Sequence, residues 1–177
     1  MSASPEAHRL QPNGAIPNSK LPLLVYREAV APGGDVARAF ERIFAANGWT
    51  NSWRNGVYDY HHFHSTAHEV LGVSRGEAKI QFGGEGGPVV AVQAGDAVAI
   101  PAGVAHCNRG QSDDFEIVGA YDRGRDWDVR KGVPAEFEAV KKAIAAVPAP
   151  RADPLHGETG ELPSLWAGVP EAPPGVA

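Results

Sequence analysis

Cysteine is nearly missing from this chain: Cys107 is the only one in 177 residues. A single thiol excludes an internal disulfide and suits a reducing, cytoplasmic compartment. Long apolar runs are missing too. No stretch approaches the roughly 20 apolar residues that cross a bilayer, and residues 1–20 hold no apolar signal core, so neither a membrane span nor a leader is expected. Basic clusters are also lacking. The chain has 16 Lys and Arg against 21 Asp and Glu, a net charge of −5, with no Lys/Arg patch. That argues against nucleic acid or an anionic membrane as a partner. No internal repeat is visible. What remains is a soluble chain long enough for one domain with a substantial core.

The chain divides by composition. Residues 1–20, rich in Ser, Pro, Asn and Gly, read as an extended arm. Leu21 to Tyr26 reads as a strand. Residues 35–48 read as a helix, with Asp35 as its cap, Ala37, Phe40, Ile43 and Phe44 on one face, and Gly48 at its end. From Gly56 the pattern changes to short strands between glycine turns, expected at 57–64, 68–74, 77–82, 88–93, 97–100 and 114–121. Gly83 to Gly87 joins two of them, so it is a hairpin loop and not a phosphate cradle. The charged stretch 122–132 reads as a surface connection. Residues 134–147 form a second helix with Pro134 in its first turn. Residues 148–177, Pro- and Gly-rich with sparse anchors such as Leu162 and Trp166, read as a strap over the body, disordered beyond Val169.

Seven histidines are present, and five lie between His61 and His106. The first segment reads Gly56-x5-His62-x-His64-x4-Glu69-x6-Gly76, and the second Gly95-x5-Pro101-x-Gly103-x2-His106. On a strand, His62 and His64 face the same side. Glu69 follows beyond a short bend, and His106 arrives on another strand. One His-x-His pair alone is weak evidence, because a surface histidine is the commoner case. Four ligand-type residues at this spacing are a different matter. Three neutral imidazoles and a carboxylate suit a divalent first-row metal and leave positions open for water or substrate.

These two segments resemble the two motifs of the cupin superfamily. The first matches at every defining position. The second matches at Gly95, Pro101, Gly103 and His106 and departs at its last position, where Gly110 replaces the usual Asn and Asn108 stands two residues earlier. More loosely, HSTAHEVLGV (64–73), PAGVAH (101–106) and DPLHGETG (153–160) are similar to the YjlB-like bacterial cupins. The resemblance implies an all-β fold, a jelly-roll β-barrel (double-stranded β-helix), with a cupin domain over 21–147 carrying helices near 35–48 and 134–147. It implies a homodimer. It also implies one metal ion per chain (Fe, Mn, Ni, Zn or Co) held by His62, His64, Glu69 and His106.

Strand parity extends the site. With His62 and His64 inward, Tyr58 and Tyr60 point inward too, while Asp59, His61 and Phe63 face away. Leu71 and Val73 go with Glu69, Phe82 with Ala78 and Ile80, and Phe115 with Ile117, Gly119 and Tyr121. Tyr58, Tyr60, Leu71, Phe82 and Phe115 are therefore candidate substrate contacts in a mostly apolar cavity. Tyr60 reads equally as a proton donor or as an aromatic wall. By alternation His68 faces outward, the other readings being a fifth ligand or a residue that holds one. His61 would replace His62 if the register slipped by one. Cys107 reads as a small core residue, and Arg123 and Arg125 as surface, with a substrate carboxylate as the alternative.

Two functions follow. One is a metal-dependent enzyme of dioxygenase, isomerase or lyase type on a small polar organic molecule. The other is a non-catalytic cupin that binds a small molecule or metal as a sensor or store.

Overall fold

The computed structural model describes residues 3–167. Within them the chain starts with β1 (Glu6–His8), β2 (Leu23–Tyr26), α1 (Val36–Ala46) and β3 (Trp49–Asn55). Then come β4 (Glu69–Arg75), β5 (Glu77–Phe82), β6 (Val89–Gln93), β7 (Ala97–Ile100), β8 (His106–Gln111) and β9 (Glu116–Asp122). Two helices close it, α2 (Phe137–Ala145) behind a 3₁₀ turn, and α3 (Leu162–Trp166). All strand pairs are antiparallel, in a six-stranded sheet ordered β1-β2-β7-β4-β9-β3 and a three-stranded sheet ordered β6-β5-β8. The fold is the expected all-β jelly-roll barrel with few helices. No helix among the described residues is long and apolar enough to cross a membrane.

The core lies between the sheets. Val25, Leu71, Val73, Val98, Ile100 and Ile117 come from the larger sheet and meet Ile80, Phe82 and Val90 from the smaller. Each fully buried large side chain of this kind contributes about 1.5–3 kcal/mol. The middle strands of the larger sheet are buried on their other face as well. There Leu24, Val70, Ala97, Ala99, Val118 and Ala120 meet Phe40 and Phe44 of α1 and Leu162 and Trp166 of α3. This explains why the central parts of these strands, 70–73, 97–100 and 117–121, are nearly continuous apolar runs. Small residues on this outer face let the helix come close. Gly72 is the extreme, since a Cβ there would lie 2.5 Å from the Phe40 ring.

Helix α1 follows from its sequence. The Asp35 carboxylate accepts a hydrogen bond from the Arg38 N–H at 3.0 Å, and Ala37, Phe40 and Phe44 form its buried stripe. The arm does not stay free. Its residues 6–8 pair with β2, and β2 also pairs with β7, so one sheet edge is covered from within the chain. The strap is held chiefly by Asp153, which is fully buried. It accepts hydrogen bonds from the Tyr26 hydroxyl and from the backbone N–H groups of Leu155, His156 and Leu162. The disorder expected beyond Val169 falls outside the described residues.

Two expectations are corrected. Residues 57–64 form no strand: their backbone bonds are split among Asn108, His106, Arg130 and Gly103, with only isolated bridges at His62 and Phe63. The strand that does form is β3, just upstream. Its polar sequence WTNSWRN, with a register shift between Thr50 and Trp53 and a left-handed Asn51 (φ 61°), hides the two-residue period.

Gly72→Ala should force Phe40 to move and cost about 1–3 kcal/mol, the usual penalty for overpacking a core. Urea unfolding should show a lower midpoint with an unchanged m-value.

Candidate metal centre

His62 enters the site from the loop before β4. It exchanges two backbone hydrogen bonds with His106, the first residue of β8, at 3.2 and 2.9 Å. His64 lies two residues on, and its carbonyl accepts from the Gly103 N–H at 2.8 Å. Gly103 is left-handed (φ 96°), and a Cβ there would strike the Asn18 carbonyl at 2.3 Å, so the turn before His106 requires glycine. Glu69 opens β4 between Ile100 and Tyr121. All four side chains are buried.

The three imidazoles each offer a nitrogen within 4.8 Å of the others. Glu69 lies beside two of them, with its Oε2 3.3 Å from His64 Nε2 and its Oε1 3.5 Å from His106 Nε2. The opposite ring nitrogens are all engaged with backbone carbonyls. His62 Nδ1 meets the Tyr60 carbonyl at 2.9 Å, His106 Nδ1 the Val104 carbonyl at 3.1 Å, and His64 Nδ1 the Asp128 carbonyl. With Nδ1–H as donor in each ring, every Nε2 keeps a lone pair aimed inward, as metal-binding histidines do.

The electrostatics agree with a cation site. Burial, with His106 beside it, lowers the His62 pKa to about 3, so this ring is neutral at ordinary pH. Burial also opposes protonation of His64, but the Glu69 carboxylate outweighs it and raises that ring. Burial alone would raise the Glu69 carboxyl, yet His64 and His106 hold it below the usual carboxylate range. Glu69 Oε2 is buried with no hydrogen-bond partner. An unsatisfied buried carboxylate oxygen facing bare imidazole nitrogens is costly, and a divalent cation would relieve it.

The cluster opens into a cavity of about 280 Å³. Leu71 and Ile117 line it deeper in, and Trp53, Tyr58, Tyr121 and Trp127 supply aromatic wall. Trp53 Nε1–H donates to the Tyr121 hydroxyl oxygen at 2.9 Å. A Cβ on Gly119 would lie 2.5 Å from the Trp53 indole, so that ring reaches the cavity only over a glycine. Burial and the nearby Glu69 carboxylate push the Tyr121 hydroxyl well up, leaving it a neutral phenol.

The expected pocket residues separate. Tyr58 and Leu71 line the cavity, whereas Phe82 and Phe115 sit in the core between the sheets and do not. Tyr60 is not part of the wall either: its ring stacks on Tyr58 at 5.0 Å and lies under the Lys131 ammonium at 4.5 Å. His68 faces the outer side of the sheet, where Trp166 packs on it and its Nδ1 accepts from the Ala102 N–H. His61 contacts Glu85, and Cys107 is buried. Arg123 and Arg125 donate to the carbonyls of Ala149 and Thr66. The stretch 122–132 is more than a surface connection. Asp128 accepts from the Ser65 N–H (2.6 Å) and from its hydroxyl, and Trp127 stacks on Tyr121 at 5.7 Å. Trp53 and Trp127 were not legible as wall residues. A lone Trp amid the charges of 122–132 was the one available signal.

The cupin-domain profile matches residues 54–118. Over 155 residues the chain is 44% identical to the uncharacterised protein YjlB of Bacillus subtilis (strain 168), covering 87% of this chain and 92% of that one. The chain belongs to the cupin superfamily, with a YjlB-like sequence. Solved structures give weaker likenesses. Acireductone dioxygenase from Bacillus anthracis, solved with cadmium in its active centre, is 14% identical with a TM-score of 0.39, over 59% of this chain and 80% of that one. Procruciferin from Brassica napus is 22% identical with a TM-score of 0.37, over 52% of this chain and 28% of its own. Bacillus subtilis oxalate decarboxylase is 16% identical with a TM-score of 0.36, over 70% of this chain. This cupin spans less than a third of those last two chains, 28% and 29%. At such scores none of them assigns a substrate or reaction.

Titration of metal-free protein with Zn(II) or Co(II) should saturate at one ion per chain and raise the melting temperature. The stabilisation should reach about 2.7 kcal/mol at a hundredfold excess of free ion over Kd. His62→Ala, His64→Ala or His106→Ala should abolish stoichiometric binding, whereas His68→Ala should bind like the wild type. Equal loss in all four variants would contradict this ligand set.

Proposed function

We propose that this cupin is a metal-dependent enzyme acting on a small polar organic molecule, by dioxygenase or isomerase/lyase chemistry. The observation that carries the reading is the unpartnered Glu69 oxygen, set among three inward-facing imidazole nitrogens at the base of an open cavity. His62, His64, Glu69 and His106 would hold the ion. When bound, it supplies Lewis acidity toward substrate oxygens or, if it is iron, activation of O₂. A site sealed on all sides would suit a structural ion; this one opens to an aromatic cavity.

The protein's own groups have distinct tasks. Leu71 and Ile117 keep water from the deep side of the site. Tyr121 is the polar handle there. Because its oxygen already accepts from Trp53, its O–H is directed away from the indole, toward Glu69 or a bound molecule. It takes the proton-donor role that was one of two equal sequence readings of Tyr60. The outer edge of β3, which pairs with no further strand among the described residues, supports a homodimer, and the lone buried Cys107 supports a cytoplasmic setting. A monomer mass by light scattering would remove the dimer.

With a substrate found by screening metabolites on metal-loaded protein, Tyr121→Phe should lower kcat about 100-fold or more with little change in KM, the signature of a proton-transfer role. Tyr60→Phe should leave both nearly alone. If no metabolite turns over while ligands bind, the non-catalytic binding module replaces the enzyme.

A further inference from the structure

Two stacked aromatic pairs flank the histidines. Tyr58 and Tyr60 lie 5.0 Å apart with ring planes within 13°, and the Tyr58 ring meets His62 edge-on at 5.0 Å. Tyr121 and Trp127 lie 5.7 Å apart with planes within 17°, and the Trp127 ring meets His64 edge-on at 5.3 Å. Tyr58 is 48% exposed and Trp127 39%, although both line the cavity. Large rings left wet at the mouth of a cavity, over polar groups at its base, mark where a ligand completes the packing.

Charge narrows the class. The one cationic side chain lining the cavity among the described residues is Arg54, and the Glu41 carboxylate already holds it through contacts of 2.6 and 3.1 Å. The rim therefore offers rings and no spare cation. A ligand's negative charge must be met at the metal, and its remaining surface by the aromatic wall. A small aliphatic oxyacid would satisfy the metal but leave the rings wet. A cavity of about 280 Å³ has room for a single ring with a chelating group, and falls below the roughly 300–1,000 Å³ of sites for drug-sized molecules.

We propose that the site selects a planar aromatic or conjugated molecule that meets the metal through an anionic oxygen-bearing group and lays its ring against Tyr58 and Trp127. This rests on the metal-site reading above and adds the substrate class to it. Ring-on-ring contact of this kind discriminates aromatic from aliphatic ligands through geometry as well as buried area.

Two chelators with the same metal-binding group separate the ideas: acetohydroxamate, which has only a methyl group, and benzohydroxamate, which has a phenyl ring. Each is titrated into the Co(II)-loaded protein, and the change in the visible cobalt absorption is followed. Benzohydroxamate should bind about tenfold or more tightly than acetohydroxamate. Trp127→Leu and Tyr58→Leu keep apolar bulk at half-exposed positions but remove the rings, and each should bring the affinity ratio down toward one. Equal affinities in the wild type, or a ratio that survives both substitutions, would overturn the aromatic class and leave the metal site standing. If neither chelator perturbs the cobalt spectrum, the open coordination position fails, and the inference fails with it.

Discussion

The two backbone hydrogen bonds exchanged by His62 and His106 hold the rest of the site together. They tie the loop before β4 to the first residue of β8, and so bring side chains from two separate motifs to one point. His62, His64 and His106 then each spend Nδ1 on a carbonyl, which leaves Nε2 directed inward. Without the junction, Glu69 would lie in an apolar barrel with nothing to offset its charge. The geometry of the loop and the electrostatics of the carboxylate are therefore one constraint.

The surrounding packing keeps this constraint rigid. Strands β4, β7 and β9 are buried on both faces, by the smaller sheet on one side and by α1 and α3 on the other. Glu69 and Tyr121 sit side by side on β4 and β9, with their orientation fixed by a ladder that has little freedom to slide. A one-residue slip would carry Glu69 out of the cavity and Val70 into it. The cavity mouth is built differently. Segment 123–130 forms no strand or helix beyond the Phe63–Arg130 bridge and is held by hydrogen bonds to residues 63–66, Gly48 and Ala149, and it carries Trp127 at the rim. A base built on sheet strands with a rim built on a connecting loop suits a site that must hold an ion firmly and admit a ligand.

Much of this was legible in the sequence. The spacing of His62, His64, Glu69 and His106 pointed to one cluster, and the glycine-punctuated apolar runs pointed to a small β-barrel. Strand parity placed Leu71, Ile117 and Tyr121 on the inner face, and the first helix fell where cap and period put it. The second, expected over 134–147, is a 3₁₀ turn followed by α2 at Phe137–Ala145. Parity failed where no ladder exists. Residues 57–64 make isolated bridges, so the inference that carried Tyr60 inward had no strand to support it. It also could not tell depth: Phe82 and Phe115 face inward but belong to the packed core, beyond the cavity.

Sequence by itself determined the ligand-type residues, the class of fold and the absence of an internal disulfide, because these depend on residue type and on short, regular spacing. Tertiary structure alone decided which aromatic rings form the cavity wall. Trp53 reaches it from a bulged, polar strand over Gly119, and Trp127 reaches it from a charged loop pinned by Ser65. Neither position follows a period of two or of 3.6, since each is set by contacts between segments some 60 residues or more apart in the chain, Ser65 with Asp128 and Trp53 with Tyr121. Local pattern carries no information about such contacts, because they exist only once the sheets have closed.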